Sequence, residues 1–195
     1  MTPTEITRSD ILPPDVYAAE RAERRRAITA AKKDRRVHVG PDSTFYFENY
    51  DTMFHQIHEM LHIEKGGEEQ IEDELRAYNP LIPKGNELVA TFMIEVDDPL
   101  RRDRLLSQLG GIERTITLSF GDHTVQAEPE GDVERTSADG KASSVHFFHF
   151  PFTAPQKAAF KTPGTKVLLG INHAAYGHLA ALAEATREAL AADLS

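Results

Sequence analysis

The chain has no cysteine among its 195 residues. That absence excludes disulfides, thiolate catalysis, cysteine-held iron–sulfur clusters and cysteine-ligated zinc. Any metal would have to be held by His, Asp, Glu or backbone oxygens. Long apolar runs are missing as well, and nothing approaches the ~20 residues of a membrane span. Residues 1–10 are polar and mixed in charge, unlike a secretory signal, so a cytoplasmic location is expected. Basic charge is in deficit: 22 Lys and Arg against 31 Asp and Glu give a net charge of −9. Nucleic-acid binding needs a basic surface, and that class of partner is not expected.

What is present suits one domain. The composition is 40% hydrophobic and 27% charged, ordinary for a globular chain of this length. A loose tail is expected over residues 1–10 and a single domain over 11–195. Pro13-Pro14 opens a helix that runs to about residue 34 and carries Arg21, Arg24, Arg25, Arg26, Lys32 and Lys33. It is the one basic segment of an acidic chain, expected as a solvated face or an intramolecular partner for acidic segments. Short strands are expected at 36–39 and 44–47. Helices follow at 49–65, stopped by Gly66-Gly67, and at 68–78, stopped by Asn79-Pro80. Strands are expected at 87–96, 114–120, 124–128, 144–152 and 166–172. Short helices are expected at 99–109 and 155–161, a polar mobile loop at 131–142, and an alanine-rich closing helix at 174–192. Strands joined by short turns favour antiparallel pairing. The expected class is therefore α+β: a mainly antiparallel sheet of five to six strands, with N-terminal helices and a C-terminal helix packed on it.

The sharpest motif is His58-Glu59-Met60-Leu61-His62, which fits H-E-x-x-H. Residues four apart share a helix face, so two imidazoles can reach one zinc while the Glu acts as base. On this reading His58 and His62 are ligands and Glu59 is catalytic in a zinc hydrolase. Along the same helix Met53, Phe54, Ile57, Met60 and Leu61 form an apolar face. Asp51, His55, His58 and His62 form the opposite, polar one. Elsewhere Glu87 and Glu95 share strand parity, while His146 and His149 point to opposite faces of theirs.

Several segments together carry a family resemblance. They are Phe47-Glu48-Asn49, Gln56-Ile57-His58-Glu59-Met60-Leu61, Ala77-Tyr78-Asn79-Pro80-Leu81-Ile82-Pro83 and Gly85-Asn86-Glu87-Leu88. Gly111-Ile112-Glu113, Ser144-Val145-His146-Phe147 and Asn172-His173-Ala174-Ala175-Tyr176 complete the set. Over roughly residues 15–194 the chain resembles the bacterial domain of unknown function 3501 family, which has no established activity. The family's pattern in the motif helix is similar to Gln-x-x-Glu-Met-Leu, which shifts the weight from His58 and His62 to Gln56 and Glu59. Operon neighbours of such proteins resemble rubrerythrin-like and iron–sulfur proteins. The resemblance thus implies a redox protein partner and a role linked to oxidative stress. Its matching positions imply a divalent transition metal (iron, manganese or zinc) held by Glu59, His146 and His173. Glu48 or Glu87 would add ligands, and Gln56 and Tyr176 would orient them. An accessory protein without catalytic activity is the competing expectation, and the sequence leaves a homodimer open.

Overall fold

Two prolines set the entry of the chain. Pro13 is extended, and Pro14 occupies the first turn of α1 (Pro14–Ala31) in the computed structural model, which describes residues 3–131, 136–137 and 140–195. A 3₁₀ turn leads into β1 (Arg36–His38) and β2 (Ser43–Glu48). Asn49 then caps α2 (Tyr50–Glu64): its side chain accepts from the Thr52 N–H, and the Thr52 hydroxyl accepts from the Asn49 N–H. Such reciprocal caps satisfy the orphan donors of a helix start. Lys65 ends α2 in the left-handed region at φ 56°. Next come α3 (Gly67–Tyr78), β3 (Glu87–Ile94) and α4 (Pro99–Leu106). β4 (Ile116–Phe120), β5 (His123–Gln126) and β6 (Glu128–Pro129) lead to β7 (Val145–Pro151) and α5 (Ala154–Lys161). β8 (Val167–His173), β9 (Tyr176–Ala181) and α6 (Glu184–Ala191) end the chain.

The fold is α+β with antiparallel pairing throughout the named strands, and it differs from expectation in having two sheets. β1-β2-β3-β7-β6 form the first and β5-β4-β8-β9 the second. One face of the first sheet meets the second around a core of phenylalanines, with Phe45, Phe92, Phe148 and Phe150 fully buried. Each such side chain stabilises by roughly 1.5–3 kcal/mol relative to exposure. The other face presents Val89 and Phe147 to a helical layer that includes Ile6, Ile11, Met53, Ile57, Ile71 and Leu75. The outer face of the second sheet is open to solvent.

Two local expectations are corrected. No continuous closing helix spans 174–192: Ala174 and Ala175 form a two-residue turn, and the chain returns as β9 before α6 begins. Alanine's helix propensity yields here to the pairing edge of β8 and to burial of Tyr176. Residues 1–10 are not all loose, because Ile6 is 1% exposed. Asn79 clamps it from both sides, accepting from the Ile6 N–H and donating to the Ile6 carbonyl, each at 2.8 Å. The expected polar loop at 131–142 lies partly outside the described residues; within it Thr136 bridges Ala142.

Candidate functional site

The N-terminal segment crosses the helical layer and is pinned at both ends of its crossing. Asn79 holds Ile6, and the Leu12 N–H donates to His58 Nε2 at 3.0 Å. Between these anchors Arg8 makes a bidentate pair with Glu68. The strap does not press flat onto α2 and α3. It leaves a cleft of about 540 Å³ lined by Ile11, Leu12, Pro13, Pro14, Tyr17, His58, Leu61, His62, Lys65, Gly67, Ile71 and the Arg8–Glu68 pair. This volume lies in the range of small-molecule sites, roughly 300–1,000 Å³.

The motif helix therefore borders a cleft, but not as a zinc site. His58 is 2% exposed. Its Nε2 accepts from Leu12 and its Nδ1–H donates to the Phe54 carbonyl at 2.7 Å. A backbone N–H can only donate and a carbonyl can only accept, so the ring is neutral with both nitrogens spent. Burial also pushes its pKa below the ordinary histidine value. The polar face expected along Asp51, His55, His58 and His62 is closed off at this residue by the Leu12–Tyr17 stretch, whose Tyr17 ring lies 4.9 Å from the imidazole.

Glu59 is equally committed. Its Oε1 accepts from Tyr17 Oη and Arg21 Nε and its Oε2 from Arg21 Nη2, all at 2.8 Å. The Arg21 guanidinium, outweighing burial, holds its pKa down at about 2. Burial and the Glu59 carboxylate in turn raise the Tyr17 hydroxyl. A general base works best near the operating pH, so this carboxylate is a fastener between α1 and α2 rather than a base.

The implied metal set does not assemble. Glu59 stands on α2 in the helical layer. His146 lies on β7 between the two sheets, fully buried, its ring stacked on Phe148 at 5.9 Å and its Nε2–H donating to the Ser143 carbonyl. His173 closes the β8–β9 hairpin: Nε2–H donates to the Gly110 carbonyl and Nδ1 accepts from the Ala175 N–H. Glu48 accepts from the Thr91 hydroxyl, and Gln56 lies 3.5 Å from the Tyr78 hydroxyl. Tyr176 donates to the Val39 carbonyl and accepts from the Asp42 N–H, latching the second sheet to the β1–β2 turn. Glu87 instead joins a cluster that sequence reasoning missed: His149 Nδ1 contacts Glu87 at 2.8 Å and His149 Nε2 contacts Glu130 at 2.6 Å. Both carboxylates, Glu87 foremost, raise the His149 pKa against its burial. Among the described residues, no group of three or more His, Asp or Glu is arranged to hold a metal ion. The residues present do not fit the implied metal, and no step is derived through one.

Two polar groups at the cleft have no hydrogen bond or ion pair among the described residues. His62 touches the Tyr17 ring edge-on at 6.1 Å, and the exposed Lys65 ammonium has no ion pair among the described residues. The N-terminus of α3 adjoins them without a side-chain cap. Pro13-Pro14 and Asn79-Pro80 were the sequence signals of this cleft. Both read as punctuation because the strap they fix is joined by contacts 46 and 73 residues apart.

Fold and cleft together define an α+β protein whose N-terminal strap roofs a small-molecule-sized cavity. The chain belongs to the family described as Protein of unknown function (DUF3501), whose model matches residues 5–194. It is similar to a crystal structure at 1.90 Å resolution described as a novel protein of unknown function from Burkholderia pseudomallei K96243. That chain is 37% identical with a TM-score of 0.90, over 97% of this chain and 99% of the other. No curated protein matches. Among the described residues, no helix is long and apolar enough to cross a membrane.

Proposed function

We propose that this protein binds a small organic anion with an apolar body in the cleft beneath its N-terminal strap. The observation that carries the reading is the cleft itself, about 540 Å³ in volume, with Ile11, Leu12, Pro13, Leu61 and Ile71 in its walls and Lys65 at its mouth. Apolar walls with a few placed polar groups are the usual character of such sites. The charge preference follows from what is already spent. Glu68 neutralises Arg8, which leaves Lys65, His62 and the uncapped first turn of α3 to meet the head group. Helix N-termini favour anions by up to ~1 kcal/mol at exposed sites. The role is binding: His58 lines the cleft with both ring nitrogens bonded elsewhere, and Glu59 is held by Tyr17 and Arg21. Glu59, His146 and His173, the residues implied as metal ligands, serve three separate structural contacts.

The test is a titration with 8-anilinonaphthalene-1-sulfonate, an aromatic anion whose emission rises in apolar sites. One saturable site is expected on the native protein. Leu61→Trp, which fills the cleft, should abolish it. Lys65→Glu should weaken it about tenfold, the equivalent of about 1.4 kcal/mol. The neutral analogue N-phenyl-1-naphthylamine should bind more weakly and respond less to Lys65→Glu. Absence of saturable binding, or binding untouched by Leu61→Trp, would overturn the proposal.

A further inference from the structure

The second sheet ends in a strand that lacks the usual protection of an edge. Exposed edges are normally blunted by charge, proline, shortness or cover, since their free N–H and C=O groups invite pairing. The other three edges follow that rule. β1 is three residues with Arg36 and His38, β6 is Glu128-Pro129, and β5 is four residues adjoining Asp122. β9 is six residues, Tyr-Gly-His-Leu-Ala-Ala, with no Lys, Arg, Asp, Glu or Pro.

Its geometry fixes what it offers. Leu182 N–H donates to the Val167 carbonyl at 2.9 Å, and His173 faces Tyr176 across the hairpin. Alternation then turns the backbone of Tyr176, His178 and Ala180 toward β8 and that of Gly177, Leu179 and Ala181 outward. Leu179 is 73% exposed and Leu168, beside it on the same face, is 39% exposed. The outward residues of this sheet, Thr117, Ser119, Leu168, Gly170, Asn172 and Leu179 among them, include no charged side chain. On a chain of net charge −9, this is where two copies can meet without like charges opposed.

We propose that β9 is the pairing edge of a homodimer. A second copy lies antiparallel along it, with the two-fold axis at Leu179, so that the two sheets join into one of eight strands. Leu179 then faces Leu179 of the partner subunit, and Gly177 faces the partner's Ala181. Three such pairs exchange about six backbone hydrogen bonds. A neutral strand is compatible with itself in this direction, and a two-fold contact is closed, so the edge is consumed without further growth. This inference is independent of the ligand reading.

Because the chain has no native cysteine, one introduced thiol reports the geometry. In a directly opposed hydrogen-bonded pair the Cα atoms stand about 5.5 Å apart, within disulfide range. Under mild oxidation Leu179→Cys should form a covalent dimer quickly. Leu100→Cys, on α4 and 69% exposed, should do so only at the rate of random collision. Sedimentation velocity of the wild type should approach twice the 21.7 kDa chain mass as concentration rises from about 1 to about 200 µM, the range of a small interface. Leu179→Lys should shift that dissociation at least tenfold with an unchanged circular dichroism spectrum. A wild type monomeric throughout, or Leu179→Cys crosslinking no faster than Leu100→Cys, would overturn the proposal.

Discussion

One helical turn separates His58 from His62, and their surroundings divide their roles. His58 is buried and bonded at both nitrogens, so truncation strands the Leu12 N–H under the strap. His58→Ala should cost about 2–3 kcal/mol in urea unfolding, the range for an orphaned buried donor plus lost packing. His62→Ala should stay within about 0.5 kcal/mol while weakening the aromatic anion. Equal stability losses would show that the strap does not depend on His58. Lys65 gives the reverse case: its left-handed φ of 56° strains a side-chain-bearing residue at a position where glycine is favoured. Lys65→Gly should raise stability by about 1 kcal/mol and weaken anion binding, and a loss of stability would refute the strain argument. At this scale the sequence made the spacing of the motif readable but not its faces. The cover over His58 comes from a residue 46 positions away, beyond any local periodicity. The resemblance implied Glu59 as a metal ligand, whereas its carboxylate is bonded to Tyr17 and Arg21, on a helix that reads as a solvated basic face or as an intramolecular partner for acidic segments without naming which.

Among elements, α1 shows why that fastener matters. Only Tyr17 and Ile28 are buried along its eighteen residues, too little apolar contact to hold a helix in place alone. The Tyr17–Glu59–Arg21 cluster therefore anchors it to α2. Glu59→Gln keeps the volume but loses the charge-assisted bonds. Amide hydrogen exchange in α1 should accelerate about tenfold or more, the equivalent of at least ~1.4 kcal/mol of local opening, with β3 and β7 unchanged. Uniform acceleration across the chain would place the effect on global stability instead. α2, α3, β3 and β7 were legible because periodicity, caps and breakers agreed. β9 was not, because Ala174, Ala175, Ala180, Ala181 and Ala183 imitate helix composition, and its turn contains neither Gly nor Pro. The exposed Leu179 marks it as a strand only once β8 is beside it.

Across the whole molecule the α+β class was legible, but the division into two sheets was not. It depends on β3 pairing with β7 after the chain has left to build β4 and β5, a long-range choice that alternation does not encode. The His149 cluster sits on that same return, tying β3, β7 and the residue after β6 together on the helix-facing side of the first sheet. Its charge state gives the molecule a pH signature. The His149 pKa is raised above the ordinary 6.5, so its stabilisation is complete below 6.5 and is lost as pH rises through the folded value. His55 and His58 run the other way. Burial lowers both from 6.5, so the folded state resists their protonation and stability falls as pH drops below 6.5. Glu59, lowered from 4.5 to about 2, adds a further loss as pH falls through that lower window. Urea midpoints measured from pH 3 to pH 9 should accordingly pass through a maximum near 6.5. His149→Gln keeps a neutral hydrogen-bonding side chain between Glu87 and Glu130 but cannot carry the charge. It should lower the midpoint at pH 6 and flatten the decline above 6.5, leaving the acid limb unchanged. A decline above 6.5 equally steep in His149→Gln would mean that the imidazolium clamp does not govern the alkaline side of the fold's stability.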